Sequence, residues 1–356
     1  WEQPIPKHIG DDFPVPEQEL QQARDTIATF EKLASGVSVE APWLTPGAQE
    51  LDSQTLDSWI AANAQGDFAR HLMTSRALAA GGGAYEPAAV SMLHHLYADV
   101  VSPQQEAPET DLFYGAAGGI ALALSTELHD HIRLAEPVHA IEHHDSGVMV
   151  HTSSSTHTAG QVIVAMPPAL TQRIAFDPPL PAQRAQLVQQ VPMGQLIKVH
   201  AIYETAWWRE AGLSGIATGD LPTLMFVADS SDPTGSPGIL TSFISGERCI
   251  ELGQQSLEER QHAVTADLTQ YFGPRASRPV EYIEANWPAD PWTGGAFTSY
   301  FPPGVWTSLG PALRASIGRI HWAGTEVATK WAGFFDGAVQ AGETAANNAA
   351  HQHTGS

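Results

Sequence analysis

Two short strands made almost wholly of apolar residues, far apart in the chain, constrain the fold most strongly. The first runs over residues 161–166 and ends at Pro167 and Pro168, and the second covers residues 320–323, which Gly324 follows. A strand without polar alternation is usually buried on both faces, and proline stops a strand because it cannot donate to the ladder. The two segments therefore predict a buried central sheet.

The region from residue 15 to residue 100 carries the three-to-four-residue apolar period of amphipathic helices. A first helix stops at Gly36, Thr55 opens a second helical segment, and a third helix covers residues 88–100. The glycine run at residues 81–83 separates two of these helices. This part of the chain is expected to form a helical layer.

Strand patterns follow the helical region. Residues 138–150 surround the turn at residues 145–147, which predicts a hairpin. Between residues 195 and 290, strand-like stretches alternate with one helix near residues 256–271, and these predict a second sheet. A final helix rich in small residues is expected over residues 337–350.

Length and composition exclude several classes of protein. At 356 residues the chain exceeds what one hydrophobic core usually supports, so two intertwined lobes are expected. The formal net charge of -22 repels nucleic acid and anionic membranes, and no apolar run is long enough to cross a bilayer. Cys249 is the one cysteine, and the start of the chain has no signal-peptide pattern. We predict a soluble, cytoplasmic protein that binds neither nucleic acid nor membranes.

Several common site signatures are missing from the sequence. No G-x-G-x-x-G fingerprint of a dinucleotide-binding strand and helix occurs, because the glycines at residues 81–83 and 115–119 do not have its spacing. The signatures of zinc proteases, serine esterases and phosphate-loop hydrolases are also absent. The adjacent histidine pairs at residues 94–95 and 143–144 point in different directions on a helix or strand. We assign them packing or surface roles and predict no metal site.

Four linked motifs occupy the last third of the chain. They are Asn286-Trp287, residues 294–304 (GGAFTSYFPPG), residues 318–326 (GRIHWAGTE) and residues 331–339 (WAGFFDGAV). In order and spacing they resemble the flavin-containing monoamine oxidase family. The middle of the chain agrees, because residues 191–198 resemble that family's lysine-bearing strand.

This resemblance runs from about residue 130 to the end of the chain and implies a fold. The fold class is mixed α/β, with an incomplete FAD-binding Rossmann-like domain intertwined with a substrate domain of mixed sheet plus helices. Residues 1–130 are expected to be the mainly helical part of the substrate domain, and residues 131–175 part of the FAD-binding domain. Residues 176–285 then form the sheet and helix of the substrate domain, and residues 286–356 the C-terminal part of the FAD-binding domain.

The chain departs from the family in two respects. Family members begin with the G-x-G-x-x-G strand and helix, which is missing ahead of Trp1, so the chain is a fragment, is completed by a partner chain, or is a degenerate relative. Ala296 stands where the animal monoamine oxidases carry the cysteine that attaches the flavin. Any FAD is therefore expected to be held non-covalently.

The resemblance also implies a cofactor site. The amino end of the terminal helix, with its free amides and helix dipole, favours an anion and is expected to face the flavin's pyrimidine ring. Small residues on this helix equally permit close packing of a buried helix. The FAD-binding residues that the resemblance implies are Val138, Ala165, Met166, Pro167, Trp287, Ala296, Gly324, Thr325, Glu326, Gly333, Phe334 and Phe335.

Three residues are the catalytic candidates. Phe297 and Phe334 fall where the family places two aromatic rings, often tyrosines, that flank the substrate nitrogen, and phenylalanine keeps the apolar walls without the hydroxyl. Lys198 lies in an otherwise apolar strand, where burying an ammonium is costly, and the family's lysine holds a water beside the flavin and assists its reoxidation. Core packing of the phenylalanines and of Trp287, and a lysine that reaches the surface from a strand edge, are the structural alternatives.

The motifs together predict an oxidase that converts a primary or secondary amine to an imine and reduces O2 to hydrogen peroxide. A non-catalytic subunit or remnant that needs a partner chain for FAD is the alternative from a different class. An L-amino-acid oxidase of the same fold is a nearer alternative, and it requires an arginine that faces the cavity to hold the carboxylate. The sequence leaves open which amine is used and whether the protein forms a homo-oligomer.

Overall fold

The computed structural model describes residues 15–79, 84–102, 113 and 115–354. Within these ranges the helices are α1 (Glu17–Ala34), α2 (Ala48–Ser53), α3 (Leu56–Asn63), α4 (Asp67–Ala79), α5 (Met92–Val101), α6 (Gly118–Glu127), α7 (Ala182–Gln190), α8 (Trp207–Glu210), α9 (Gly246–Gly253), α10 (Leu257–Phe272), α11 (Val305–Leu309) and α12 (Phe335–Thr354). The strands are β1 (Val138–His144), β2 (Gly147–Thr152), β3 (Thr156–Ala159), β4 (Val162–Ala165), β5 (Ala175–Asp177), β6 (Leu196–Tyr203), β7 (Ala217–Thr218), β8 (Phe226–Asp229), β9 (Gly238–Ser245), β10 (Glu281–Asn286) and β11 (Ile320–Ala323). Short 3-10 turns join several of them.

Helices α1 to α5 surround one hydrophobic core, which confirms the predicted helical layer. Thr55 caps α3 because its hydroxyl accepts the Ser58 amide while the Ser58 hydroxyl accepts the Thr55 amide. Ser91 caps α5, so that helix begins at Met92, later than the predicted residue 88. The predicted separator at residues 81–83 lies outside the described residues.

A four-stranded sheet follows the helical layer, in the order β3-β2-β1-β5. β1 and β2 pair in antiparallel register from His144 opposite Gly147, so the predicted hairpin and its turn are confirmed. β5 runs parallel to β1. The core side chains of this sheet, among them Ile141 of β1, pack against β4 and β11.

The two apolar strands, β4 and β11, pair with each other in parallel, with Val164 opposite Trp322. β11 is buried along its whole length, as predicted. The prediction was wrong for β4, where Val164 alone is buried while Ile163 is 38% exposed and Ala165 is also exposed. Apolar composition does not specify what packs on a strand, and α12 contacts β4 without burying Ile163 or Ala165.

The second predicted sheet is present with five strands, in the order β10-β6-β9-β8-β7. β6 is an inner strand with antiparallel neighbours on both sides. One face of the sheet forms a second core with α9 and α10, and α10 carries a capping box at Ser256. β6 is therefore held rigidly by ladder hydrogen bonds on both edges.

Helix α12 packs along β11 and is the last element of the described chain. It begins at Phe335, two residues before the predicted start, and buries the small residues Ala341 and Ala345. None of the described helices has the length and apolar character that a bilayer crossing needs. The domain boundaries stated above remain a prediction.

Candidate active site

Lys198 lies in the middle of β6, opposite Phe243 of β9 and Ala285 of β10. Side chains of β6 alternate between the buried core and a half-buried face, and Lys198 belongs to the second set. Lys198 is half-buried, because that face of the sheet is not closed by the core. The inner position of β6 rules out a lysine escaping from a strand edge.

The Lys198 ammonium contacts an aromatic ring rather than a carboxylate. Its Nζ lies 5.8 Å from the centroid of the Phe243 ring, and among the described residues no ion pair to Lys198 is recorded. Burial, followed by the charge of Lys198, lowers the pKa of His200, the next residue on the same face of the strand. The ammonium therefore has no neutralising carboxylate among the residues that the structure describes.

Phe297 contacts the same Phe243 ring that Lys198 contacts. The Phe297 and Phe243 centroids lie 5.9 Å apart in an edge-to-face arrangement, and Phe297 is 46% exposed. Ala296 is buried next to it in a small cluster, on which Trp287 and Phe243 pack. The structure thus brings Lys198, Trp287, Ala296 and Phe297 together around Phe243, a residue that sequence reasoning missed.

Backbone pairing holds the Phe297 segment beside the start of β6. The Ala296 amide donates to the Gly194 carbonyl at 3.0 Å, and the Gly194 amide donates to the Thr298 carbonyl at 3.1 Å. A side chain at Gly295 would bring its Cβ within 2.5 Å of the Gly194 oxygen, so this position requires glycine. The peptide bond between Ala296 and Phe297 is cis.

The turn after β11 is tied to the turn before α12. The Thr325 hydroxyl accepts the Gly333 amide at 2.5 Å and lies 3.2 Å from the Phe334 carbonyl, to which it donates. Gly324 and Gly333 have φ values of 107° and 89°, which favour glycine. The predicted cofactor residues Gly324, Thr325, Gly333 and Phe334 therefore form one connected structure.

Glu326 links this structure to the Phe297 segment. Its side chain is buried, and its Oε1 accepts the Ser299 amide at 3.2 Å. Burial raises the pKa of Glu326 above its ordinary value, and the hydrogen bond from Ser299 opposes the shift. Glu326 thus has a structural contact that holds two predicted site segments together.

The start of α12 is open, with two exposed apolar side chains beside the exposed carboxylate of Asp336. Phe335 is 56% exposed and Val339, one turn later, is 55% exposed. Among the described residues, no acceptor is recorded for the amides of Phe335, Asp336 and Gly337, as is usual for a first helical turn. An apolar ring system with an anionic polar edge fits this surface, because the rings would cover the exposed side chains and the edge would meet the free amides.

Four predicted cofactor residues lie in or near β1 and β4, away from the residues around Phe243. They are Val138, Ala165, Met166 and Pro167. Met166 follows β4, and its carbonyl carbon and oxygen lie near Gly324. Val138 and Met166 pack on the core of the hairpin sheet, Pro167 is half-buried, and Ala165 is exposed. No contact of these four with Lys198 is recorded in the described structure.

The two predicted flanking rings do not touch. Phe334 packs edge-on against Trp331 at 6.2 Å between centroids, whereas Phe297 packs against Phe243. That Phe297 and Phe334 flank the substrate nitrogen stays a prediction.

Phe243 also lines a cavity of about 130 Å3. The charged residues of its lining are Glu86 and Arg248, and Met225 forms part of the wall. Phe243 could have been found from the sequence as the residue opposite Lys198 once the register of the sheet was known. The arginine could not, because no motif marks it.

The adjacent pair His94 and His95 is buried, which confirms a packing role. The Trp306 indole donates to His94 Nδ1 at 3.2 Å, and the Tyr85 hydroxyl lies 2.9 Å from His95 Nδ1. Burial lowers the pKa of each imidazole to about 3. Both rings are therefore neutral parts of the helical core.

A family model described as flavin-containing amine oxidoreductase matches residues 4–350. The chain belongs to this family of flavoprotein oxidoreductases, so its fold and its class of enzyme are those predicted from the motifs.

Individual relatives span several substrates. The chain is 43% identical to an L-amino acid dehydrogenase of Synechocystis sp. over 90% of its own length and 69% of that protein. It is 36% identical to a putative flavin-containing monoamine oxidase of Mycobacterium tuberculosis, covering 89% of this chain and 70% of that one. Against amine oxidase B of Canis lupus familiaris the identity is 32%, with 91% of this chain and 64% of that protein covered.

Solved structures agree with the fold. A wild-type putrescine oxidase bound to putrescine superimposes with a TM-score of 0.90 at 31% identity, covering 96% of this chain and 78% of that chain. A cyclohexylamine oxidase from Brevibacterium oxydans gives a TM-score of 0.87 at 30% identity, covering 97% and 77%.

Proposed function

We propose that this protein oxidises a primary or secondary amine to an imine with non-covalently held FAD, and that O2 is reduced to hydrogen peroxide. The observation that carries the proposal is the link from Glu326 to the Ser299 amide, because it joins the open start of α12 to the segment that bears Phe297. Two electrons and two protons leave the amine as its C–N bond becomes C=N, and O2 takes up the electrons with two protons. Water then hydrolyses the imine.

FAD, when bound, supplies the acceptor for the hydride equivalent. The residues that we expect to hold it are Val138, Ala165, Met166, Pro167, Trp287, Ala296, Gly324, Thr325, Glu326, Gly333, Phe334 and Phe335. The free amides at the start of α12 favour the negative charge of a reduced ring. Non-covalent binding follows from Ala296, whose methyl side chain has no nucleophile.

We assign the binding of the amine to Phe297 and Phe334, and the stabilisation of negative charge to Lys198. The two phenyl rings form apolar walls that orient a neutral amine and exclude water from it. The ammonium of Lys198 holds a water or stabilises developing negative charge next to the ring of Phe243. A half-buried position favours this role, because the ammonium is only partly hydrated.

Two features of the sequence support a cytoplasmic location and small-molecule partners. The single cysteine Cys249 is buried, and burial raises the pKa of its thiol to about 12, so it is inert. The net charge of -22 attracts cationic amines at long range.

Peroxide formation by the purified protein supplied with FAD tests the proposal. A panel of amines should yield peroxide in wild-type protein, and Phe334→Ala should lower kcat/KM by about 10- to 100-fold because the amine loses one wall. Phe176→Ala, which alters a ring of the hairpin core, serves as the matched control. Protein that stays colourless and inactive with FAD would overturn the proposal and favour a chain that needs a partner for its cofactor.

A further inference from the structure

Phe243 of β9 lies directly opposite Lys198 of β6 in the antiparallel register. Directly opposed residues on one face of a sheet have Cβ atoms about 4.5–5.5 Å apart, so their side chains can meet. On the other side of Lys198, β10 presents Ala285, whose methyl group offers neither a ring nor a charge. The Phe243 ring is thus the cross-strand partner that can hold the ammonium.

The Lys198 ammonium has few constraints apart from this ring. Its four-carbon stem is flexible, and its Nζ lies 5.8 Å from the Phe243 centroid, within the distance of about 6 Å that cation–π interactions require. The described residues supply no carboxylate for Lys198. The neighbouring His200 is bonded to Thr241 instead, at 2.8 Å. The attraction of the ring is therefore what favours one orientation of the lysine.

The Phe297 side chain depends on the same ring. It is 46% exposed, and its edge-to-face contact with Phe243, at 81° between the ring planes, is the one ring contact recorded for it among the described residues. The Ala296 amide is fixed by the Gly194 carbonyl, but this bond leaves the Phe297 ring free to rotate about its own side-chain bonds. Edge-to-face pairs add free energy beyond the burial of their area. Phe243 therefore favours one orientation of Phe297 as well.

We propose that Phe243 is a positioning residue, whose ring orients the Lys198 ammonium and the Phe297 ring together. The reaction with O2 and the binding of the amine then depend on one side chain. This inference rests on the proposed function, in which Lys198 serves the first step and Phe297 the second. Phe243 acts through these two side chains.

Two substitutions separate the ring of Phe243 from its bulk. Phe243→Leu keeps an apolar side chain and removes the π system, and Phe243→Met is a second ring-free variant in case the first folds poorly. Phe243→Tyr keeps the π system, and the cavity that Phe243 lines has room for the added hydroxyl.

Phe226→Leu is the matched control. Phe226 lies on β8 next to Val227, which pairs with Ser242, so Phe226 and Phe243 share one face of the sheet. No contact of Phe226 with either partner of Phe243 is recorded in the described structure. The control therefore removes a ring from the same face without touching Lys198 or Phe297.

Double-mutant cycles measure both couplings in protein supplied with FAD. Phe243→Leu should slow the reaction with O2 and flavin reduction by an amine by about 3- to 10-fold each, and Phe243→Tyr should slow them by less than about 2-fold. The loss in the O2 reaction should disappear when Lys198 is already methionine. The loss in flavin reduction should disappear when Phe297 is already leucine.

A third cycle uses the purified protein with neither FAD nor an amine. Urea unfolding is measured for wild-type protein, Lys198→Met, Phe243→Leu and the double variant. The unfolding constants should be non-additive by about 2- to 5-fold, because the contact between ammonium and ring exists in the folded chain alone.

The two proposals fail in different ways. Additive effects in the unfolding cycle overturn the contact between Phe243 and Lys198, whatever the protein oxidises. Rates in Phe243→Leu that match those of Phe226→Leu, or equal losses in Phe243→Leu and Phe243→Tyr, overturn the positioning role and leave amine oxidation standing. Non-additive unfolding without flavin reduction by any amine overturns the positioning role together with the function on which it rests.

Discussion

Replacing Lys198 with methionine separates the two halves of the proposed reaction. The ammonium lies 5.8 Å from the centroid of the Phe243 ring, and we take about 6 Å as its distance to negative charge that develops on a group bound beside that ring. At an effective dielectric constant of about 20, a unit charge at this distance contributes about 3 kcal/mol. We therefore expect the reaction of the reduced protein with O2 to slow by about 100-fold.

Rapid mixing of the reduced protein with oxygenated buffer measures this rate, and anaerobic mixing with an amine measures flavin reduction. Reduction should change much less, because the negative charge of the reduced ring is stabilised mainly by the first-turn amides of α12. The free energy of unfolding should stay within about 1 kcal/mol, since Lys198 forms no ion pair within the described part of the chain. Lys32→Met, at an exposed position of α1, is the control. An unchanged rate with O2, or a large loss of stability, would refute this role for Lys198.

Two further predictions concern stability. Burial lowers the pKa of His94 and of His95 from 6.5 to about 3, so the unfolded chain binds more protons than the folded chain below pH 6.5. Each histidine should therefore lower the free energy of unfolding by about 1.4 kcal/mol per pH unit as the pH falls from 6.5 toward 3. Denaturant unfolding of wild-type protein and His95→Asn at pH 7.5 and 5.5 should show a smaller acid loss in the variant, and equal losses would contradict the assignment. Gly337→Ala should destabilise by about 1–3 kcal/mol and weaken FAD retention, because its Cβ would lie 2.2 Å from the Trp331 carbonyl oxygen. Gly342→Ala on the same helix meets nothing and should stabilise by about 0.5–1 kcal/mol in thermal or denaturant unfolding, and similar effects of the two changes would be evidence against this packing.

Local patterns were enough to predict most elements. The capped helices, the hairpin at residues 145–147 and the strands of the five-stranded sheet follow from periodicity and turn residues, which act over a few positions. The burial of β4 could not be predicted in this way, since it depends on which distant segments pack on each face. Ile163 is exposed because its neighbours, and not its own composition, decide its environment.

The candidate site shows the same division. The motifs found the turn at Gly324 and the start of α12, because those positions need glycine and free amides. They did not find Phe243 or Arg248, which no motif marks. Both reach the site through the register of β9 and the path of the chain into α9, and such long-range geometry leaves no local signature.

A crystal structure of the protein grown with FAD tests the central claim most directly. We expect the isoalloxazine ring to lie against the first-turn amides of α12, with Phe297 in front of it and the Lys198 ammonium beside it. No covalent bond should join the ring to Ala296. A flavin bound elsewhere, or a first turn of α12 that is covered by protein side chains in the FAD-bound state, would contradict the account.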